Sequence, residues 1–267
     1  MLVVKDELAN RPWQLLMLPL RATEERPGWP CRTFLDPLTP PLARAADAVI
    51  LPRAEWCCRG LSWRPIVTPR PATAASSSTP GRSGCAWGRG SAAVPVVLLP
   101  GTAETAQDWD EVATHVSEEF PVFAVDLRGH GRSDWPGTYS IELFAHDVCG
   151  ALEQLQVGPV HLVGHSLGGL VACKVAAAVP DLVRTLVLED VGMPHPRVAA
   201  TPDRPEGPLA FDWAVVEQVR PEIDNPAPSW ADVIARIDAP TLVIGGGPRS
   251  FVPQQHLAEL VEQLADA

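Results

Sequence analysis

The sequence predicts an α/β protein, a mostly parallel sheet covered by helices on both faces. Two observations carry that prediction. From Val94 onward, short apolar runs alternate with longer segments of helical periodicity, the pattern of repeated strand–helix–strand units. The runs are continuously apolar rather than alternating, as expected of parallel strands buried on both sides. Composition agrees, since 46% hydrophobic and 20% charged residues allow a substantial core.

Taken in order, residues 94–99 (Val-Pro-Val-Val-Leu-Leu) form the first strand and end in Pro100-Gly101. Residues 104–119 follow with Trp109, Val112, Ala113 and Val116 at helical spacing. Residues 121–125 are a second strand. Residues 140–157 are a second helix, with Leu143, Phe144, Val148, Leu152 and Leu155 along one face and Ser140 suited to cap its start. Strands are predicted over 160–163, 185–188 and 240–244, and helices over 167–179, around 213–219 and over 253–265. A Pro-rich irregular stretch over 193–228 interrupts the alternation.

Residues 1–93 read differently. They hold 12 of the 29 prolines, five of the nine tryptophans and none of the seven histidines. Their 12 basic against 7 acidic residues contrast with 9 against 25 in the remainder. Residues 64–90, dense in Pro, Ser, Thr, Gly and Arg, have the composition of a linker. Short helical runs fit 9–20 and 41–50. The expected organisation is an irregular or disordered N-terminal extension (1–93) followed by one α/β domain (94–267).

The net charge of −11 argues against nucleic-acid binding, which draws on excess Lys and Arg. No apolar run approaches the roughly 18 residues of a membrane span, and the start lacks the marks of a signal peptide. The six cysteines show no CxxC pairing, and the scattered histidines show no HExxH pattern, so no metal site or disulfide framework is expected. A cytoplasmic protein needing no cofactor is the expectation; the sequence does not specify an oligomeric state.

The informative segment is Gly164-His165-Ser166-Leu167-Gly168, a G-x-S-x-G pattern between a predicted strand and a predicted helix. Such a turn must be sharp and strained, and its small residues let the helix pass close to the strand. It lifts the Ser166 hydroxyl clear of the sheet at a helix N-terminus, where the N–H of Leu167 is positioned to stabilise a developing oxyanion.

With these residues in view, 94–265 resembles the α/β-hydrolase fold family, in particular its esterase-like and haloperoxidase-like members. Leu98-Leu99-Pro100-Gly101-Thr102, followed by Trp109, is similar to the family's first oxyanion loop, with Pro100 where His is usual. The segment from Asp126 to Ser133 resembles its D-x-R-G-H-G-x-S loop, and 164–169 its nucleophile elbow. The resemblance implies Ser166 as nucleophile and the N–H groups of Leu167 and Thr102 as oxyanion hole. Gly164, His165 and Gly168 would complete the elbow, and 192–239 a short lid carrying Phe211, Trp213 and Trp230.

The resemblance also implies an acid and a base. The acid is usual after the strand over 240–244, but Arg249 stands there. Some relatives place it one strand earlier, where this chain has Glu189 and Asp190; Asp190 is favoured, with Glu189 as the alternative. A histidine is expected on a loop after one more strand, and the chain ends at Ala267 directly after a helix. The domain therefore reads as C-terminally incomplete, lacking the catalytic His. His256 flanks the apolar stripe of its helix, His195 lies in a Pro-rich loop, and neither stands where the resemblance expects the base.

A serine nucleophile with an oxyanion hole suits transfer of an acyl group to water, so small ester, thioester or lactone substrates are expected. Cofactor-free haloperoxidase or perhydrolase chemistry would use the same constellation. A non-catalytic binding module derived from a hydrolase is the alternative that the missing histidine favours.

Overall fold

The computed structural model describes residues 93–155, 158–199 and 202–264, together with the backbone of two short strands nearer the N-terminus. The helical runs expected over 9–20 and 41–50 lie outside the described residues. In chain order the elements are β1 (Leu2–Val4), β2 (Ser62–Ile66), β3 (Val96–Leu99), α1 (Asp110–Val116), β4 (Val122–Asp126), α2 (Ile141–Leu155) and β5 (Val160–His165). There follow α3 (Leu167–Ala178), β6 (Val183–Glu189), α4 (Ala214–Asp224), α5 (Trp230–Ile234), β7 (Thr241–Gly245) and α6 (Gln254–Gln263).

The strands form one sheet in the order β1-β7-β6-β5-β3-β4-β2. β3 to β7 are mutually parallel, with Val97 opposite Phe123 on one side and Leu162 on the other. Two segments of the stretch that the sequence reads as irregular join this sheet. Leu2–Val4 runs parallel to β7, and Ser62–Ile66 runs antiparallel to β4.

The continuous apolar strands are explained by two cores. In β3, Val97 and Leu99 face a large core that includes Phe144, Val148, Val171, Ala172, Val175 and Leu257. Val96 and Leu98 face a smaller one with Ala106, Trp109, Ala113 and Ala124. Among the described residues Phe144, in α2, is the largest side chain that is fully buried, and its truncation to Ala would cost about 3–5 kcal/mol. α3 is apolar almost all round because it is covered by the sheet and by α2 and α5. Its one charged side chain, Lys174, reaches outward to Glu142 (2.8 Å) and lies 5.1 Å from the centre of the Trp230 ring.

Two helices differ from the periodicity reading. The segment over 104–119 begins instead with a 3-10 turn, Ala106–Trp109. Thr105 and Asp108 close a reciprocal capping box around that turn, so helix begins only after the cap. The helix expected around 213–219 continues to Asp224 despite Pro221, and α5 was not expected, since five residues are too few for a period to register. Among the described residues no helix is long and apolar enough to cross a membrane.

Candidate active site

Ser166 sits between β5 and α3 with φ 49° and ψ −114°, a backbone conformation that L side chains rarely adopt. The turn is held on both sides: Ser166 N–H donates to Glu189 O (2.9 Å), and its own carbonyl accepts from Gly169 and Leu170. The three glycines are required by contact distance. A Cβ on Gly164 would lie 2.5 Å from the carbonyl oxygen of Gly168, and one on Gly168 would lie 2.3 Å from that of Leu99. One on Gly169 would lie 2.2 Å from Val191 Cγ2. Helix α3 thus presses on both its own strand and the end of β3, bringing the loop after β3 beside the serine. Leu167 opens α3, where N–H groups have no carbonyl one turn back to pair with.

The loop after β3 is a tight turn, closed by Glu104 N–H donating to Gly101 O (3.3 Å). Thr102 and Ala103 are its corners, Ala103 with φ 69°. Glu104 returns the favour with its side chain: Oε2 accepts from Gly101 N–H (2.6 Å) and from His165 Nδ1 (2.9 Å). Burial alone would push the Glu104 carboxyl up. The hydrogen bonds from His165 and Gly101 outweigh it and hold the group below its ordinary value. Burial likewise opposes charge on His165, yet the Glu104 carboxylate, aided by Glu189 and Asp190, raises it. Glu104 was not singled out in the sequence, because its role depends on His165, 61 positions away. The i, i+3 spacing from Gly101 was the one local signal.

Asp190 lies just past β6 with φ 54°. Its carboxylate accepts from Gly246 N–H (3.0 Å) and from Ser250 Oγ (2.7 Å). The side chain therefore reaches into the loop after β7, the loop in which the resemblance expects an acid and the chain has Arg249. Glu189, the alternative, is the last residue of β6, and its main chain is what holds Ser166.

Several histidines have partners away from Ser166. His195 Nε2 donates to Glu259 (2.6 Å), with the His256 ring 4.7 Å away, centre to centre. His130 is fully buried, its Nδ1 on Arg128 O (3.0 Å) and its ring stacked on Phe211, and burial lowers its pKa. His161 pairs with Thr185 (2.7 Å). Among the described residues no histidine hydrogen bonds to Ser166 or Asp190, and no cluster of His, Cys, Asp or Glu is arranged to hold a metal ion. Beneath the site, Asp126 fastens two loops: Oδ1 accepts from Ala106 N–H (2.8 Å) and Oδ2 from Arg132 N–H (3.0 Å).

A strained serine turn thus ends the central strand of the sheet, and known proteins resemble the region that carries it. Residues 94–221 match the family model described as the alpha/beta hydrolase fold. That match takes in the sheet from β3 to β6 and the turn of Ser166. The chain is 44% identical over 104 residues to an esterase of Mycobacterium tuberculosis, covering 38% of this chain and 34% of that protein. It is 42% identical over 95 residues to a lipase of the same organism, covering 36% of each. The chain thus spans about a third of the length of these curated relatives. A hydrolase from Pseudomonas aeruginosa shares the fold at a TM-score of 0.59 and 21% identity, over 77% of this chain and 83% of that one.

Proposed function

We propose that the chain is a serine-dependent hydrolase of carboxylic ester-type bonds, acting through an acyl-enzyme on Ser166. The observation that carries this is the backbone of Ser166, left-handed at a strand–helix junction where three glycines admit no side chain. Strain of this kind costs on the order of 1–3 kcal/mol and persists only where surrounding structure enforces it. Ser166 Oγ would attack the acyl carbon as its proton passes to water, and the N–H groups of Leu167 and Thr102 would stabilise the oxyanion that forms. Its collapse would break the bond to the alcohol or thiol, which leaves protonated, and water would then release the acid from Ser166. Asp190, already oriented by Ser250 and Gly246, is the acid we favour over Glu189. The similar esterase and lipase support an ester, thioester or lactone as the bond cleaved. We read residues 94–267 as the catalytic unit and 192–239 as its lid.

A second reading is a hydrolase-like module that binds without turnover. The observation favouring it is the lack of a histidine on Ser166 among the described residues, since a serine without a base is a weak nucleophile. Hydrolysis of p-nitrophenyl acetate and butyrate by the purified chain, beside Ser166→Ala, separates the two. Turnover well above the variant supports the hydrolase. Rates equal to the variant, from a chain folded by circular dichroism, support the module and refute the first reading.

A further inference from the structure

The two N–H groups assigned above to the oxyanion come from different loops. Thr102 belongs to the turn after β3, and Leu167 to the turn after β5. Their separation has to be held within a few tenths of an ångström for both to reach one oxygen. Backbone hydrogen bonds of the parallel sheet stop short of it, for the last β3–β5 pair is Leu99 with Gly164.

Beyond that point the side chain of Glu104 spans the gap. Glu104 Oε2 accepts from Gly101 N–H on the first loop and from His165 on the second, the residue immediately before Ser166. Gly101 lies directly on this pair. A Cβ there would sit 2.8 Å from His165 Nδ1 and 2.9 Å from Glu104 Oε2. The turn so fastened is itself strained, with the non-glycine Ala103 at φ 69°, a conformation that needs outside support.

We infer that Glu104 is a positioning residue, its carboxylate bracing the loop of Thr102 against the turn of Ser166 and Leu167 so that both donor N–H groups meet one oxyanion. This rests on the reading of Ser166 as nucleophile. Because the brace acts through donors used only when the oxyanion forms, its loss lowers turnover rather than substrate binding.

The test compares Glu104→Ala, Glu104→Gln and His165→Ala with the unaltered chain and Ser166→Ala. Three readouts are taken: kcat and KM on p-nitrophenyl butyrate, labelling of Ser166 by a fluorophosphonate, and amide exchange over residues 101–105. Glu104→Ala is expected to lower kcat and labelling about 10- to 100-fold, below the loss for deleting a donor outright, with KM within about twofold. Glu104→Gln should recover part of this, because its amide oxygen still accepts one of the two bonds. His165→Ala should speed exchange over 101–105 although it lies on the other loop. If the unaltered chain neither turns over nor labels above Ser166→Ala, the hydrolase reading fails and the brace has no reaction to serve. If it is active but Glu104→Ala stays within twofold in kcat, or His165→Ala leaves the loop's exchange unchanged, the brace alone is refuted.

Discussion

Replacing Gly168 by Ala puts a methyl group where the structure has carbonyl oxygens. The added Cβ would lie 2.3 Å from Leu99 O and 2.5 Å from Pro100 O, whereas real Cβ contacts essentially never fall below 3.0 Å. Both obstacles are backbone, so α3 and the end of β3 must part by at least 0.7 Å. Overpacking of this order costs about 1–3 kcal/mol, and the better helix propensity of Ala returns up to about 1. A net loss of about 1–2 kcal/mol is expected in urea unfolding. The same displacement separates the loop of Thr102 from the turn of Ser166, and misplacement by about 1 Å costs on the order of 100-fold in rate. Gly150→Ala is the matched control. It lies within α2 with nothing inside 4 Å of the added methyl, so it should stabilise by about 0.5–1 kcal/mol and leave esterase rates unchanged. Equal stability and equal p-nitrophenyl ester turnover in Gly168→Ala and the unaltered chain would refute the close-contact argument.

Other perturbations follow from the same geometry. Ser166→Gly relieves the left-handed backbone that Ser166→Ala retains, so the Gly variant should be the more stable of the two by about 1 kcal/mol in urea; the opposite order would remove the claim of strain. Asp147→Asn breaks a two-point pair with Arg128, both bonds 2.6 Å, with the carboxylate only 3% exposed. A loss of about 2–3 kcal/mol is expected, because Arg128 keeps some access to water; a loss under about 0.5 would show the pair to be immaterial. The Glu104–His165 pair should couple most strongly between about pH 4.5 and 6.5. Glu104 is lowered, so its contribution is complete above the ordinary 4.5 and is lost as pH falls through the folded value. His165 is raised, so its contribution is complete below 6.5 and is lost as pH rises through its folded value. The neighbouring groups that also act on the pair are His130, Glu189 and Asp190. A double-mutant cycle of Glu104→Gln and His165→Gln across pH 3–9 measures this coupling, and a profile without a maximum in that window would contradict it.

The sheet and the serine turn were legible because their physics is local. β3 reads as a doubly buried strand from four consecutive apolar residues, and the elbow reads from glycines that close packing makes obligatory. What escaped the sequence depends on distant partners. Glu104 looks like the acidic start of a helix until His165 is seen beside it. The resemblance points to Asp190, with Glu189 beside it, at the end of a strand, but nothing in the sequence shows the Asp190 carboxylate reaching Ser250, 60 positions on. Leu2–Val4 has no pattern length to announce a strand, and pairing with β7 is what makes it one. Ser62–Ile66 was obscured by the proline within it, which demotes a run from strand to edge.

Asp126 has a consequence for how this domain tolerates change. Two N–H groups from separate loops take one carboxylate oxygen each, and Asn would offer an oxygen to only one of them. A Cβ on Gly131 would sit 2.4 Å from the Asp126 carboxyl carbon, so the loop leaves no room for the longer Glu. In a saturation library this position should accept nothing but Asp, while the exposed residues of the loops it secures, such as Gln107 and Trp135, remain free to vary. Loop diversification in this scaffold has a fixed pivot, and a library that randomises Asp126 along with the loops would consist mostly of misfolded members.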